Sequence, residues 1–349
     1  MNSRTLGRSG PTVSAVGLGA LGMSDLYGPA DEAEGIATIH AAIDAGVSLI
    51  DTGDFYGSGH NELLIARALR ERDRDAVTLS VKFGSRRDPS GGWQPVGTDV
   101  SAAAVKDRLA FTLRRLGTDH VDIYRATRLN PEIPAEETIG AIAEMVQAGY
   151  VRYVGLSEAG AETLRRAAAV HPISDLQIEY SLLSRGIEDA ILPTARELGI
   201  GITAYSPLAR GMLSGHWRGR EVRPGDFRGA IPRYQGENLE ANLALVDALA
   251  EVAEGIGATV AQVAIAWVVS RGDDVVTLLG ARNRRQLSDS LGAAQLDLSA
   301  DDLAAIEAAV PAGAAAGDRY PPQQMAALDS ERGRVDSMPL PRQREEADR

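Results

Sequence analysis

Cysteine is absent from the 349-residue chain. That excludes disulfides and thiolate-bound metal, so stability has to come from an ordinary apolar core. Lysine is nearly absent. Lys82 and Lys106 are the only two among 36 basic residues, and each stands out in a chain that otherwise uses arginine. Positive charge is in deficit, with a formal net charge of −12. A nucleic-acid partner needs concentrated Lys and Arg and is excluded on that balance; an acidic surface keeping a cytoplasmic protein in solution is the expectation. No run approaches 18 apolar residues, so no membrane span is expected. Residues 13–23, the nearest thing to a targeting segment, are glycine-rich without a strong basic lead-in and read as a strand entering a loop.

What is present is ordinary globular composition, 44% hydrophobic and 24% charged. Strand patterns fall at Val16–Gly19, Val47–Asp51, Val77–Lys82, Val121–Arg125, Val151–Ser157, Leu176–Ile178, Gly201–Ala204 and Val275–Leu279. Helical patterns lie at Asp31–Ala45, Asn61–Arg72, Ala102–Leu116, Ala135–Ala148, Ala161–Val170, Ile187–Leu198, Leu239–Gly255, Thr259–Arg271 and Asn283–Leu291. Asp31-x-x-Glu34 and Thr259-x-x-Gln262 have capping-box form. "DAG", "RLG", "QAG", "ELG" and "SRG" put glycine at helix ends. Short apolar strands alternating with helices, without a composition break, predict a closed α/β (β/α)8 TIM barrel rather than two stacked Rossmann units. Arg4–Arg8 and Thr12–Ala15 predict an N-terminal β-hairpin, and further helices or loop follow the last strand. The expected layout is a single domain over 1–331 with a disordered tail at 332–349. Residues 214–237 read as a polar loop over one barrel face.

Gly17-Leu18-Gly19-Ala20-Leu21-Gly22 spells G-x-G-x-x-G, the dinucleotide fingerprint of Rossmann folds. Its context fails. The glycines run into loop residues Ser24 to Pro29 rather than a helix, and the first acidic residue at a strand end, Asp51, is too far along.

In a (β/α)8 barrel the chemistry sits at the C-terminal strand ends. There the sequence places Asp51, Lys82, Thr127, Ser157, Gln177, Tyr205 and Gly280, with Tyr56 just past strand two. Free tyrosine titrates near 10. An ammonium beside it favours the phenolate, and an aspartate keeps that ammonium charged and aimed, so the trio is expected to make a proton donor tuned toward neutral pH. The alternatives are a structural Asp51–Lys82 pair and a surface tyrosine.

"DTGDFYG", "SVKFG", "GLSE", "LQIEYSLLSR", "YSPLARGMLSG" and "LLGARNRRQLSDSLGA" together resemble the aldo-keto reductase superfamily, over roughly residues 4 to 325. The resemblance implies NADPH/NADP+ bound across the barrel mouth without a Rossmann fold. It also implies reduction of an aldehyde, ketone or related C=N group of a small molecule. Asp51, Tyr56 and Lys82 match three members of the catalytic tetrad, Tyr56 as proton donor. Gly19 and Ala20 lie in the first strand's exit loop. Ser157 and Gln177 match groups that hold the nicotinamide carboxamide, and Tyr205 the ring that stacks on it. Ser206, Pro207, Leu208, Arg210 and Gly211 fall in the stretch around the pyrophosphate. Gly280, Arg282, Gln286, Asp289 and Ser290 match the adenosine end, where Arg282, Arg284 and Arg285 beside a helix N-terminus suit a 2′-phosphate. Glu158 departs from the asparagine common after the serine.

The larger departure is the fourth tetrad member. Where the family carries histidine, this chain reads "DIYRATRLNP", with Thr127 in its place. A hydroxyl can donate one hydrogen bond but does not titrate near neutrality. Arg125 and Arg128 are candidates to polarise a carbonyl or bind an anionic substrate; the alternative, expected for at least one of them, is that they neutralise nearby acids. Trp93 and Tyr27 are candidate pocket walls, with Trp217 and Phe227 behind them. Weaker turnover of generic aldehydes is expected, by ~10²-fold. Preferred substrates are expected among carbonyls bearing an acidic group, activated aldehydes such as a pyridoxal-like ring, or imines. A second class stays open: an NADP(H)-binding regulatory or redox-sensing protein with little turnover, like the β-subunits of potassium channels. No metal is implied, and the sequence does not specify an oligomeric state.

Overall fold

A computed structural model describes residues 1–332 apart from 25, 90–94, 220 and 224. Trp93 and residues 333–349, nearly all of the expected tail, lie outside the described residues. Among the described residues twelve strands form. They are β1 (Ser3–Thr5), β2 (Thr12–Ser14), β3 (Val16–Gly19), β4 (Leu49–Gly53), β5 (Thr78–Phe83), β6 (Ser85–Arg87), β7 (Pro95–Thr98), β8 (Val121–Ala126), β9 (Val151–Ser157), β10 (Ile173–Glu179), β11 (Gly201–Tyr205) and β12 (Val275–Gly280). Eight of them close a parallel barrel in the order β3-β4-β5-β8-β9-β10-β11-β12. Around it lie α1 (Glu32–Asp44), α2 (His60–Leu69), α3 (Ala102–Leu116), α4 (Ala135–Gln147), α5 (Ala161–Val170), α6 (Ile191–Leu198), α7 (Gly236–Ile256), α8 (Val260–Val269), α9 (Arg284–Leu291), α10 (Ala300–Ala309) and α11 (Pro322–Ala326). This is the (β/α)8 barrel the alternating pattern predicts.

Local chemistry sets the boundaries. Gly46, Gly117, Gly149 and Gly199 take the left-handed backbone that ends the preceding helix, whereas Gly272, at φ 150°, lies beyond Ser270, which caps α8. Thr259 and Gln262 complete a capping box at α8. α6 starts at Ile191 rather than Ile187, and Pro193 falls in its first turn, where the missing N–H has no intrahelical partner to lose. α10, preceded by a capping box of Ser299 and Asp302, belongs to the further C-terminal helices expected without bounds, whereas the β6–β7 ribbon was not read from the sequence.

The hairpin β1–β2 packs Leu6 and Val13 against Leu49, Ile123, Val276 and Leu278, covering the barrel's N-terminal end. The opposite end opens into a groove. Over it folds the 214–237 segment, in which Trp217, Phe227 and Tyr234 are buried. Trp217 meets Tyr234 edge-on at 4.9 Å. Arg228 lies over both Trp217 and Tyr27, at 4.4 and 5.0 Å from the ring centres. The segment after α10 returns to the same rim and buries Tyr320 and Leu328.

The glycines of the G-x-G-x-x-G string serve this architecture. A Cβ on Gly17 would meet Leu278 and Leu49 inside the barrel at 2.9 and 3.0 Å, and one on Gly22 would meet Arg282 at 3.1 Å.

Candidate active site

The C-terminal barrel mouth forms a groove of about 990 Å³ running from Lys82 past Tyr205 to Arg285. Asp51 and Lys82 stand on adjacent strands, Asp51 paired with Ser80 and Gly53 with Lys82 in the β4–β5 register. Both are buried, and Lys82 Nζ donates to Asp51 Oδ1. Asp51 Oδ2 accepts from Ser80 Oγ at 2.8 Å and Gln177 Nε2 at 2.7 Å. The carboxylate is thereby fixed by three side chains.

Beyond β4 the chain turns tightly through Gly57 and Ser58, both at positive φ. This presents Tyr56 to the groove, packed edge-on against Phe55 at 4.7 Å. Lys82 Nζ lies 5.0 Å from the Tyr56 ring centre. The expected tuning is not what these surroundings produce. Burial, reinforced by Asp51, pushes the Tyr56 phenol well above its usual value, while Arg128 pulls the other way. Lys82 is committed to Asp51. Burial also draws its ammonium below the usual range, against the pull of Asp51. The phenol thus holds its proton throughout the neutral range.

Thr127 follows β8 and lines the groove. It is 8% exposed, and its Oγ1 has no hydrogen-bond partner among the described residues. Arg128, beside it, also lines the groove. Arg125 does not. It shares Thr127's inward parity one layer deeper and is completely buried, donating to Asp175 Oδ2 at 2.8 Å and Ser80 Oγ at 3.0 Å. A Cβ on Gly155 would lie 3.0 Å from both the Arg125 guanidinium and Asp175, so glycine makes room for the pair. Its expected place in the pocket is corrected accordingly.

The residues matched to a cofactor fall along the groove with one exception. Gly19, Ser157, Gln177 and Tyr205 line its inner part, and Ser206, Pro207, Leu208, Arg210 and Gly211 its middle. Gly280, Arg282, Gln286, Asp289 and Ser290 line the far end. Tyr27, Trp217 and Phe227 also line it. Ala20 is the exception: it is fully buried, its N–H donates to the Asp51 carbonyl and its carbonyl accepts from Asn61 Nδ2.

The three arginines at the far end separate by partner. Arg282 donates to the carbonyls of Tyr27, Gly28 and Pro29, tying two loops together. Arg284 pairs with Glu34 at 3.0 Å, and Glu34 also accepts its backbone N–H. Arg285 is exposed, lines the groove and has no acidic partner among the described residues.

Sequence reasoning missed what the C-terminal strap brings. Arg319 Nη2 binds Glu158 Oε2 at 2.5 Å and Glu331 Oε1 at 2.8 Å. Ser330 Oγ donates to Glu158 Oε2 at 2.7 Å, and Tyr205 Oη to Glu158 Oε1 at 2.7 Å. Glu158 sits at φ 52°, unusual for a side-chain-bearing residue. The Tyr320 hydroxyl lies 3.0 Å from that of Tyr205, with Arg210 4.5 Å from the Tyr320 ring centre. The stretch "DRYPPQQM" (318–325), which reads in the sequence as a segment able to dock, is where Arg319 and Tyr320 lie. Among the described residues no helix is single-handedly long and apolar enough to cross a membrane, and no cluster of three or more His, Cys, Asp or Glu is placed to hold a metal.

The Aldo/keto reductase family model matches residues 15–311. A probable aldo-keto reductase 1 of Glycine max is 40% identical over 316 residues, 90% of each chain. Among solved structures, the glycerol dehydrogenase of Gluconobacter oxydans superposes with a TM-score of 0.80 at 29% identity, covering 88% of this chain and 94% of that one. The holo form of an aldo-keto reductase from Bacillus halodurans gives 0.75 at 27% identity, covering 90% and 97%. With the barrel, the groove and these matches together, the chain belongs to the aldo/keto reductase family, oxidoreductases that act on carbonyl compounds.

Proposed function

We propose that this chain reduces a small-molecule carbonyl or related C=N group with NADPH, Tyr56 supplying the proton. The observation that carries the reading is a protonated, buried phenol beside an Asp51-anchored ammonium, at the inner end of a groove whose far end displays Arg285. The residues fit a phosphorylated dinucleotide: Ser157 and Gln177 offer amide-binding groups, and Arg285 offers an uncompensated guanidinium for a 2′-phosphate. When bound, the cofactor supplies the hydride.

The protein's part is proton delivery and charge stabilisation. A phenol held above its usual range keeps its proton until negative charge develops on the substrate oxygen, which is more basic still. The phenolate left behind is then met by Lys82 and Arg128. Asp51 holds Lys82 in place, and Ser80 and Gln177 hold Asp51.

Spectrophotometric NADPH oxidation over a panel of aromatic, acidic and imine substrates tests the reading. Turnover lost in Tyr56→Phe supports it; turnover retained there overturns it. The unpartnered Thr127 hydroxyl favours one second reading, an NADP(H)-binding regulatory or redox-sensing protein. That protein would quench its tryptophan fluorescence with NADPH yet consume none.

A further inference from the structure

Arg128 is a half-buried cation with no ion-pair partner among the described residues; the Glu158 charge acts on it only from beyond ion-pairing distance. Nη1 donates to the Thr127 carbonyl at 2.6 Å and to Ser157 Oγ at 3.4 Å, and Nη2 to the Tyr320 hydroxyl at 3.2 Å. All three acceptors are uncharged groups. Three arginines near the same end of the groove are paired: Arg125 with Asp175, Arg210 with Glu179, Arg319 with Glu158. Among the described residues no carboxylate reaches ion-pairing distance of Arg128. A guanidinium has five N–H donors. The three bonds leave two, the number that a carboxylate engages bidentately.

Its neighbour supplies the second half. Thr127 Oγ1 is buried, without a partner, on a residue that lines the same groove. An unpaired cation and an unmet hydroxyl in one wall are costly to leave unanswered in a folded protein. The wall belongs to the reacting end of the groove, since the Arg128 charge acts on both Tyr56 and Lys82. Tyr320, reaching in from the C-terminal strap, fixes the guanidinium from behind.

We infer that Arg128 and the Thr127 hydroxyl form a carboxylate subsite next to the reacting carbonyl, so that 2-oxo acids are the favoured substrate class. This rests on the reductase reading above. The carbonyl carbon gains a hydride and its oxygen the Tyr56 proton, giving a 2-hydroxy acid. NADPH is oxidised to NADP+, and the carboxylate passes through unchanged. Pairing that carboxylate with Arg128 also removes the repulsion it would otherwise exert on charge building at the adjacent oxygen.

The test compares phenylglyoxylate with its methyl ester, which differ in the one charge. In the full-length enzyme with NADPH, kcat/KM is expected to favour the acid. Arg128→Gln is expected to collapse the acid-to-ester ratio about 100-fold, whatever happens to the absolute rates, and Arg128→Lys to restore part of it. Thr127→Val is expected to lower the ratio about 10-fold. Calorimetric titration of phenylglyoxylate into the NADP+ complex reads the same subsite without turnover, and its Kd is expected to rise in Arg128→Gln. A wild-type ratio near one, or a preference that survives Arg128→Gln, overturns the inference, and Tyr56-dependent reduction of the ester then leaves the reductase reading standing. Acid binding that depends on Arg128 without any turnover supports the subsite and overturns the reductase reading. Absence of both binding and turnover of the acid overturns the subsite.

Discussion

Replacing Thr127 by histidine would put a titratable donor where an unpartnered hydroxyl now stands. If the absent imidazole limits the chemistry, NADPH oxidation with neutral aldehydes rises by about 10²-fold. No rise means that proton transfer from Tyr56 alone is sufficient. Arg285 offers a separate test at the other end of the groove. Arg285→Ala is expected to raise the KM for NADPH about tenfold and leave that for NADH nearly unchanged, because one charge-assisted contact to a phosphate is removed; no change with either cofactor would assign that arginine to the surface alone, and equal losses would set it against a part that both share. These positions were legible because they sit within recognisable strings, "DIYRATRLNP" and "GARNRRQ". Their partners were not. That Gln177 and Ser80 hold Asp51, or that Arg284 is taken by Glu34 while Arg285 is free, depends on which strands and loops become neighbours.

At the scale of elements, the C-terminal strap is the feature spacing could not reveal. It is pinned at Glu158, to which Arg319 and Ser330 both reach, and at Gly160, whose N–H donates to Asp329. Burial would raise the Glu158 carboxyl, but Arg319 and Arg128 outweigh it and hold the group far below the usual carboxylate range. A carboxyl depressed on folding stabilises the folded form fully above its unfolded value of about 4.5, and that contribution is lost as pH falls further. The strap should therefore stay docked at neutral pH and loosen progressively below about pH 4.5. Hydrogen exchange of residues 316–332 between pH 7 and pH 3, corrected for the intrinsic rate, reads this directly. Arg319→Gln is expected to produce the loosening already at pH 7. Constant protection across the series, with Arg319→Gln like wild type, would mean that apolar burial of Tyr320 and Leu328 holds the strap by itself. The sequence carried only a hint here, since the partners lie far apart along the chain and neither repeats a local pattern.

The whole barrel was the most legible feature, because alternating apolar strands and glycine-ended helices report it from local physics alone. Its interior was less so. Where a barrel of this kind stacks branched apolar side chains in layers, this one threads a polar chain: Asp51 to Ser80, Ser80 to Arg125, Arg125 to Asp175, and Asp175 to Thr203. Arg125 reads as a mouth residue in the sequence because its parity matches Thr127. Depth is what separates them, and depth follows from how the strands are staggered around the closed sheet. The chain joins Asp51 to the centre of the fold, so disturbance at its far end should reach both stability and chemistry. Asp175→Ala leaves a buried guanidinium without its carboxylate and is expected to cost about 3–5 kcal/mol in urea unfolding. Replacing both partners with apolar residues, Arg125→Met with Asp175→Leu, is expected to recover most of that stability, since the uncompensated charge disappears with its partner. Turnover should separate the two roles. The double replacement also removes the donor that Arg125 gives Ser80, and with it one support of Asp51. If it restores the urea midpoint but leaves kcat low, the polar chain serves to hold Asp51 and Lys82; if both return together, the pair serves the fold alone.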